Sequence, residues 1–239
     1  MNHDASFSRI TAISAILAAV LTLAATVVLS KAVDFNFEFL SNPAELITAG
    51  LDDGAAGLIR WGSILELFGY GLFLIPVALY LWYWLKPHNP NLVIMATVFG
   101  LGAIFFVIIG SAIRASFWPA MMIAYPQVAE PQRQVLQIVF KSVTDFTFEV
   151  LYASDSILSG LWWLGIGLVL LAERRVLGIA TAIIGIAILS AGFGWLLQVD
   201  PLARLEQFYF LEPFWAIWLG IVIWRHAEHK APALATGEA

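Results

Sequence analysis

Three carboxylates stand within eleven residues in the stretch Asp145-Phe-Thr-Phe-Glu149-Val-Leu-Tyr152-Ala-Ser-Asp155-Ser156, and an apolar run to Leu171 follows directly. A second group, Arg60, Glu66 and Tyr70, lies at the start of another apolar run, and Arg114 closes a third. An ionisable side chain at bilayer depth is costly, so it marks either a binding or proton-handling site or a buried ion pair. On helical spacing, Asp145, Glu149, Tyr152, Ser156 and Ser159 share one stripe, and Asp155 sits beside it. Ser63, Glu66 and Tyr70 form a matching stripe, and Ser111 shares a face with Arg114. A polar pocket between the three helices carrying these stripes would shield them from lipid. Asp155 is the deepest acid, roughly 13–16 Å below the start of its helix at the α-helical rise.

Two readings of these residues stand side by side. Arg114 paired with Glu66 or Asp155 would be a structural network that fixes helix register. Alternatively Glu66, Arg114 and Asp155, with Tyr70 and Tyr152 as hydrogen-bonding neighbours, form a site for a proton or a small ligand. Glu149 and Glu212 fall near the predicted membrane interface, where the structural reading is favoured.

Other chemistries are excluded by what is missing. His3, His88, His226 and His229 all fall in predicted loops or tails, and the chain has no cysteine. Bis-histidine haem, intramembrane zinc and Ser-His catalysis therefore have no ligand set or base inside the membrane. No catalytic residue, metal or other cofactor is expected, and a lipid-directed enzyme is the least supported class. No basic patch with interleaved aromatics points to nucleic acid.

The elements that position these residues follow from composition. The chain has 239 residues, is 61% hydrophobic, has mean hydropathy +0.85 and only 12% charged residues. Soluble domains carry about a quarter charged residues, so the apolar surplus here must face lipid. The expected fold class is all-α: a polytopic bundle with spans at about 10–30, 58–85, 92–113, 144–171, 176–197 and 208–224, then a polar tail over 225–239. The first span exceeds the about 7–15-residue apolar core of a signal peptide, so it reads as an uncleaved helix. Its small residues, from Ala15 to Thr26, allow close approach of a neighbour. Asn42-Pro43-Ala44-Glu45 reads as the start of a short surface helix in the first long connection, running to about Leu51. Phe35, Phe37 and Phe39 alternate with polar residues and suit an extended segment at headgroup level. Residues 115–140 read as a second long connection, in which Pro131-Gln132-Arg133 begins a helix leading into the fourth span.

Pro76 is expected to kink the second span. Gly178, Gly185 and Gly192, seven residues apart, put a packing notch on one side of the fifth. The aromatic clusters read mostly as interface belts, with Trp162-Trp163 the exception inside a span.

Placing the N-terminus inside gives the inner segments Arg9, Lys86, Arg174, Arg175, Arg225 and Lys230. The outer ones then hold Lys31, Arg60, Arg114, Arg133, Lys141 and Arg204. The totals tie, but the inner positives are denser and the outer loops carry most of the acids, so both termini are expected in the cytoplasm.

The layout resembles a bacterial family of six-helix integral membrane proteins of unknown function. The residues carrying the resemblance are Asn42-Pro43-Ala44-Glu45, Leu58-Ile-Arg60-Trp-Gly62, Leu85-Lys86-Pro87, Gly160-Leu-Trp-Trp163, the Glu173-Arg174-Arg175 turn, and Trp224-Arg225. The resemblance covers most of residues 9–226 and implies the fold and a bacterial inner membrane; it carries over no substrate, cofactor or catalytic residue. The expected function is binding, sensing or transport of a small molecule or lipid at an outward-facing cavity. The alternative is a structural or accessory subunit. Partners would be membrane lipids, a small-molecule or lipid ligand, and further copies or a larger membrane complex.

Overall fold

The computed structural model describes residues 3–36, 43–49 and 53–235. Among these every regular element is helical, and six helices are long and apolar enough to cross a membrane. They are Ser6–Ala32, Gly54–Leu85, Pro90–Gln127, Glu130–Glu173, Arg175–Leu197 and Asp200–His226, spans one to six. Asn42, Phe37 and Phe39, expected to cap the surface helix and line the headgroup region, lie outside the described residues.

Residues 33–36 and 43–49 and the bends between spans three and four and between spans five and six share one end of the bundle, here the loop end. The tight connections after Leu85 and Glu173 share the other, the turn end. The first span packs on the second, the second on the third, the third on the fourth and the fourth on the fifth. The sixth closes the ring, since its loop-end part packs on the fifth span and its remainder on the first.

The spans differ from the sequence expectation mainly in length. The third helix runs on to Ala124 and the fourth begins at Glu130, so most of the expected connection 115–140 is helix. Pro119 is accommodated within the third helix and is buried. The last helix continues to Ala235, where a polar tail from Arg225 was expected. His226 is not free in that tail, because its ring lies 5.3 Å from Trp84. A short 3₁₀ helix, Pro43–Ile47, stands where a surface helix was expected. Leu46 and Ile47 bury against Trp118 and Phe140, which caps the loop end with a small second core.

The turn-end half holds the main hydrophobic core. Trp162 and Trp163 are both buried and converge on Trp215, with the Trp163 and Trp215 rings stacked at 4.7 Å. The Trp215 indole N–H donates to Thr181 Oγ1 at 2.8 Å, which satisfies its polar edge inside the core. Leu74, Val77, Leu81, Ile166, Leu219 and Ile223 complete this core. The sequence left Trp162-Trp163 facing either a cavity or lipid. They face neither, because Gly100 of the third span leaves room for the Trp162 ring.

Spans four and five meet backbone to backbone. The expected notch on the fifth span is reciprocated by Gly160 and Gly167 on the fourth, also seven residues apart. A Cβ on Gly167 would stand 2.5 Å from Ala182 N, and one on Gly185 would collide with the Leu164 backbone. Such small-residue seams are how helices associate in lipid, where no hydrophobic force drives them together.

Candidate functional site

Spans two, four and six each depart from α-helical geometry at the same level. The second has a π-helical segment at Leu67–Leu72, the fourth one at Phe146–Tyr152, and the sixth a 3₁₀ segment at Arg204–Leu211. Each has a local cause or consequence. Pro76 stands in the first turn of the helix that resumes at Leu74, where its missing N–H costs least. The interruption expected of this proline therefore lies just before it. Pro213 occupies the same place after the 3₁₀ segment, one residue past Glu212. Irregular backbone at membrane depth is tolerated where it is buried in protein or lines a cavity, and π segments are frequent at functional sites.

All three segments border one cavity of about 500 Å³ in the loop-end half. Its wall includes Thr22, Leu23, Thr26 and Val27 of span one, Glu66 and Tyr70 of span two, and Arg114 of span three. Tyr152, Asp155 and Ser156 of span four, Trp195 of span five, and Glu206, Tyr209, Phe210 and Glu212 of span six complete it. Span one packs along the helix after Glu212, whereas the 204–211 segment leans onto span five instead. The first and sixth spans therefore part toward the loop end, and the cavity occupies the cleft between them.

Two polar clusters line it. In one, Arg114, only 8% exposed, forms an ion pair with Glu66 and donates from Nε to Ser63 Oγ at 2.9 Å. The guanidinium also lies 5.8 Å from the Tyr152 ring centroid. In the other, Asp155 is buried, and its two oxygens accept from Ser159 Oγ at 2.7 Å and from the Tyr209 hydroxyl at 3.1 Å. The Tyr209 hydroxyl is also 3.3 Å from Ser156 Oγ, and its ring meets Tyr70 edge-on at 5.7 Å. Glu212 is 3% exposed, and its Oε2 has no hydrogen-bond partner among the described residues. The Tyr152 hydroxyl is likewise buried without a partner.

Of the residues singled out in the sequence, Glu66, Tyr70, Arg114, Tyr152 and Asp155 thus share one cavity. Arg114 goes to Glu66 rather than to Asp155, whose partners are hydroxyls. Arg60 and Glu149 are exposed and stand outside this cavity. Glu149 lies off the expected stripe because a π turn takes up an extra residue and shifts the phase of everything before it. Thr144, Thr147 and Leu151 turn inward there instead.

Glu149 and Asp145 border a second cavity of about 1100 Å³ at the loop end, beside Lys141 and Arg204. Phe148, Trp195 and Glu206 line both cavities and separate them. The Trp195 indole N–H donates to Glu206 at 3.0 Å across this partition, and Phe148 packs between Trp118 and Tyr152.

Tyr209, Ser159 and Glu212 are the members that spacing ranked too low. Glu212 was placed near the interface because the last span was taken to begin near Phe208. The span begins at Asp200, and a 3₁₀ segment of eight residues rises roughly 16 Å at about 2 Å per residue. That carries Glu212 into the cavity. The signal present in the sequence was Glu212-Pro213, an acid at the start of a helix. Among the described residues no cluster of three or more histidine, cysteine, aspartate or glutamate side chains has the grouping to hold a metal ion.

No curated protein and no solved structure matches the chain significantly. Residues 10–224 match the family described as "Domain of unknown function (DUF4386)". With the match spanning nearly the whole bundle and all its cavity residues, the chain belongs to that family of unknown function.

Proposed function

We propose that this multi-pass membrane protein binds a small amphipathic molecule or lipid in the cleft between spans one and six. The observation that carries the reading is the cavity's composition: an apolar approach along Leu23, Val27 and Phe210 ends at buried polar groups. Ligand pockets fall between roughly 300 and 1,000 Å³, with few but well-placed polar groups on apolar walls. The cleft fits that description. Ionisable residues facing a bundle interior mark substrate or ion pathways, and two unpartnered buried polar atoms, Glu212 Oε2 and the Tyr152 hydroxyl, leave bonds for a ligand to make. We place the protein in a bacterial inner membrane with both termini cytoplasmic, so that the cleft opens in the outer half. Binding serves sensing or transport, with the larger loop-end cavity as the aqueous approach.

The test is labelling in nanodiscs with dodecyl probes carrying a photoactivatable chain. Saturable labelling of spans one and six, at one probe per protein, is expected, together with its loss in Thr26→Trp, which fills the cleft. Non-saturable labelling that Thr26→Trp leaves unchanged sinks the reading.

A structural role is favoured for one part of the site only. The Arg114–Glu66 pair, tied to Ser63, joins spans two and three at cavity depth. Removing one member of such a pair strands the other, at about 3–5 kcal/mol. If Arg114→Ala lowers stability but probe labelling persists in the folded fraction, the pair is a register lock and not part of the ligand site.

A further inference from the structure

Four carboxyl groups line the cleft, Glu66, Asp155, Glu206 and Glu212, and one protein cation, Arg114, faces them. Arg114 is committed to Glu66. Glu206 is exposed and bonded to Trp195. Asp155 and Glu212 remain, both buried on the same cavity, and apart from Arg114 no lysine, arginine or histidine is among the described residues lining it. Burying a charge without a counter-charge is among the costliest arrangements in a protein. Two such groups on one cavity wall call for bound protons or for positive charge from outside the chain.

We propose that the occupant of this cleft is an amphipathic organic cation, its ammonium group held by Asp155 and Glu212 and its apolar chain lying along Leu23 and Val27. This rests on the binding reading above and adds the ligand's charge.

Three independent observations support it. Glu212 Oε2 is buried on the cavity wall and bonded to nothing among the described residues, whereas both oxygens of Asp155 are already oriented by hydroxyls. An incoming ammonium supplies the missing partner to the first and the missing charge to both. The surroundings are aromatic: Tyr70, Tyr152, Tyr209 and Phe210 share the cavity wall with the carboxyls. Aromatic faces attract ammonium groups most where water is excluded. Finally, the cavity repels the opposite ligand. A phosphate or carboxylate headgroup would find its one guanidinium already neutralised and would confront uncompensated acids, so an anionic lipid is selected against.

The experiment compares three probes with the same photoactivatable dodecyl chain, ending in trimethylammonium, hydroxyl or sulfate, on the full-length protein in nanodiscs of zwitterionic lipid. For the wild type, half-maximal labelling of spans one and six by the trimethylammonium probe is expected at a concentration at least tenfold below the other two. In Asp155→Asn/Glu212→Gln that preference should vanish, the trimethylammonium probe labelling no better than the hydroxyl probe on the same variant. Should the double variant fail to fold, Glu212→Gln alone must narrow the preference at least threefold.

Saturable labelling by all three probes without preference overturns the cationic ligand but keeps the binding site. That outcome identifies protons as what neutralises the acids. A preference that survives the double variant also overturns the assignment, since the cation is then held elsewhere. Absence of saturable labelling by any probe removes the binding reading itself.

Discussion

The turn-end half of the ring and its loop-end half are built from the same six spans by opposite means. In the turn-end half the centre is occupied by Trp162, Trp163 and Trp215, and the helices between them are regular. In the loop-end half the centre is a cavity, and spans two, four and six change their helical geometry where they border it. The first half holds the larger hydrophobic core, where stacked indoles, glycine notches and aliphatic side chains pack together. The second half carries the costs: buried carboxyls, an orphaned glutamate oxygen, and unusual backbone. A protein that needed only to span the membrane would extend the first arrangement to both ends. Stability is thus concentrated at one end and chemistry at the other.

That division can be broken experimentally. The largest expected effect is Trp163→Ala, which deletes a fully buried indole from the tryptophan core and should cost about 3–5 kcal/mol. Reversible unfolding of the micelle-bound protein by denaturant would measure it; a loss below about 1 kcal/mol would mean the turn-end half does not hold the ring together. Next comes Gly185→Ala, whose methyl meets the Leu164 backbone and should cost about 1–3 kcal/mol by forcing spans four and five apart. The same unfolding assay reads it, and a neutral result would show the seam to be looser than the close approach implies. The smallest is Asp155→Asn, expected to leave stability within about 1 kcal/mol of wild type or to raise it, because it removes an uncompensated buried acid. A loss as large as that of Trp163→Ala would make Asp155 a structural residue and erase the contrast between the halves.

Much of this arrangement was legible beforehand, for reasons that differ by residue. The six apolar runs announced the spans because lipid leaves helices as the only economical way to satisfy the backbone without a barrel. Glu66, Arg114 and Asp155 drew notice because acids and arginines are scarce in such runs. Periodicity then failed at particular points. Glu149 was assigned to the stripe of Tyr152 on a constant helical phase, and a π segment between them broke that phase. Glu212 was misjudged in depth because its span begins at Asp200 rather than near Phe208 and opens with a 3₁₀ segment, which is longer per residue than an α-helix. Both failures fall in irregular segments that border the cavity.

The sequence by itself determined the class of the molecule: a helical chain of six spans, with glycines every seven residues where two of them must touch. These features depend on composition and on the spacing of residues within one helix. Only the tertiary structure decided which acid found a cation. Arg114 met Glu66 across two spans, while Asp155 and Glu212, fifty-seven positions apart, came to line one cavity with no protein cation left to them. Pairing between helices depends on how the ring closes, and no spacing along a single helix records that.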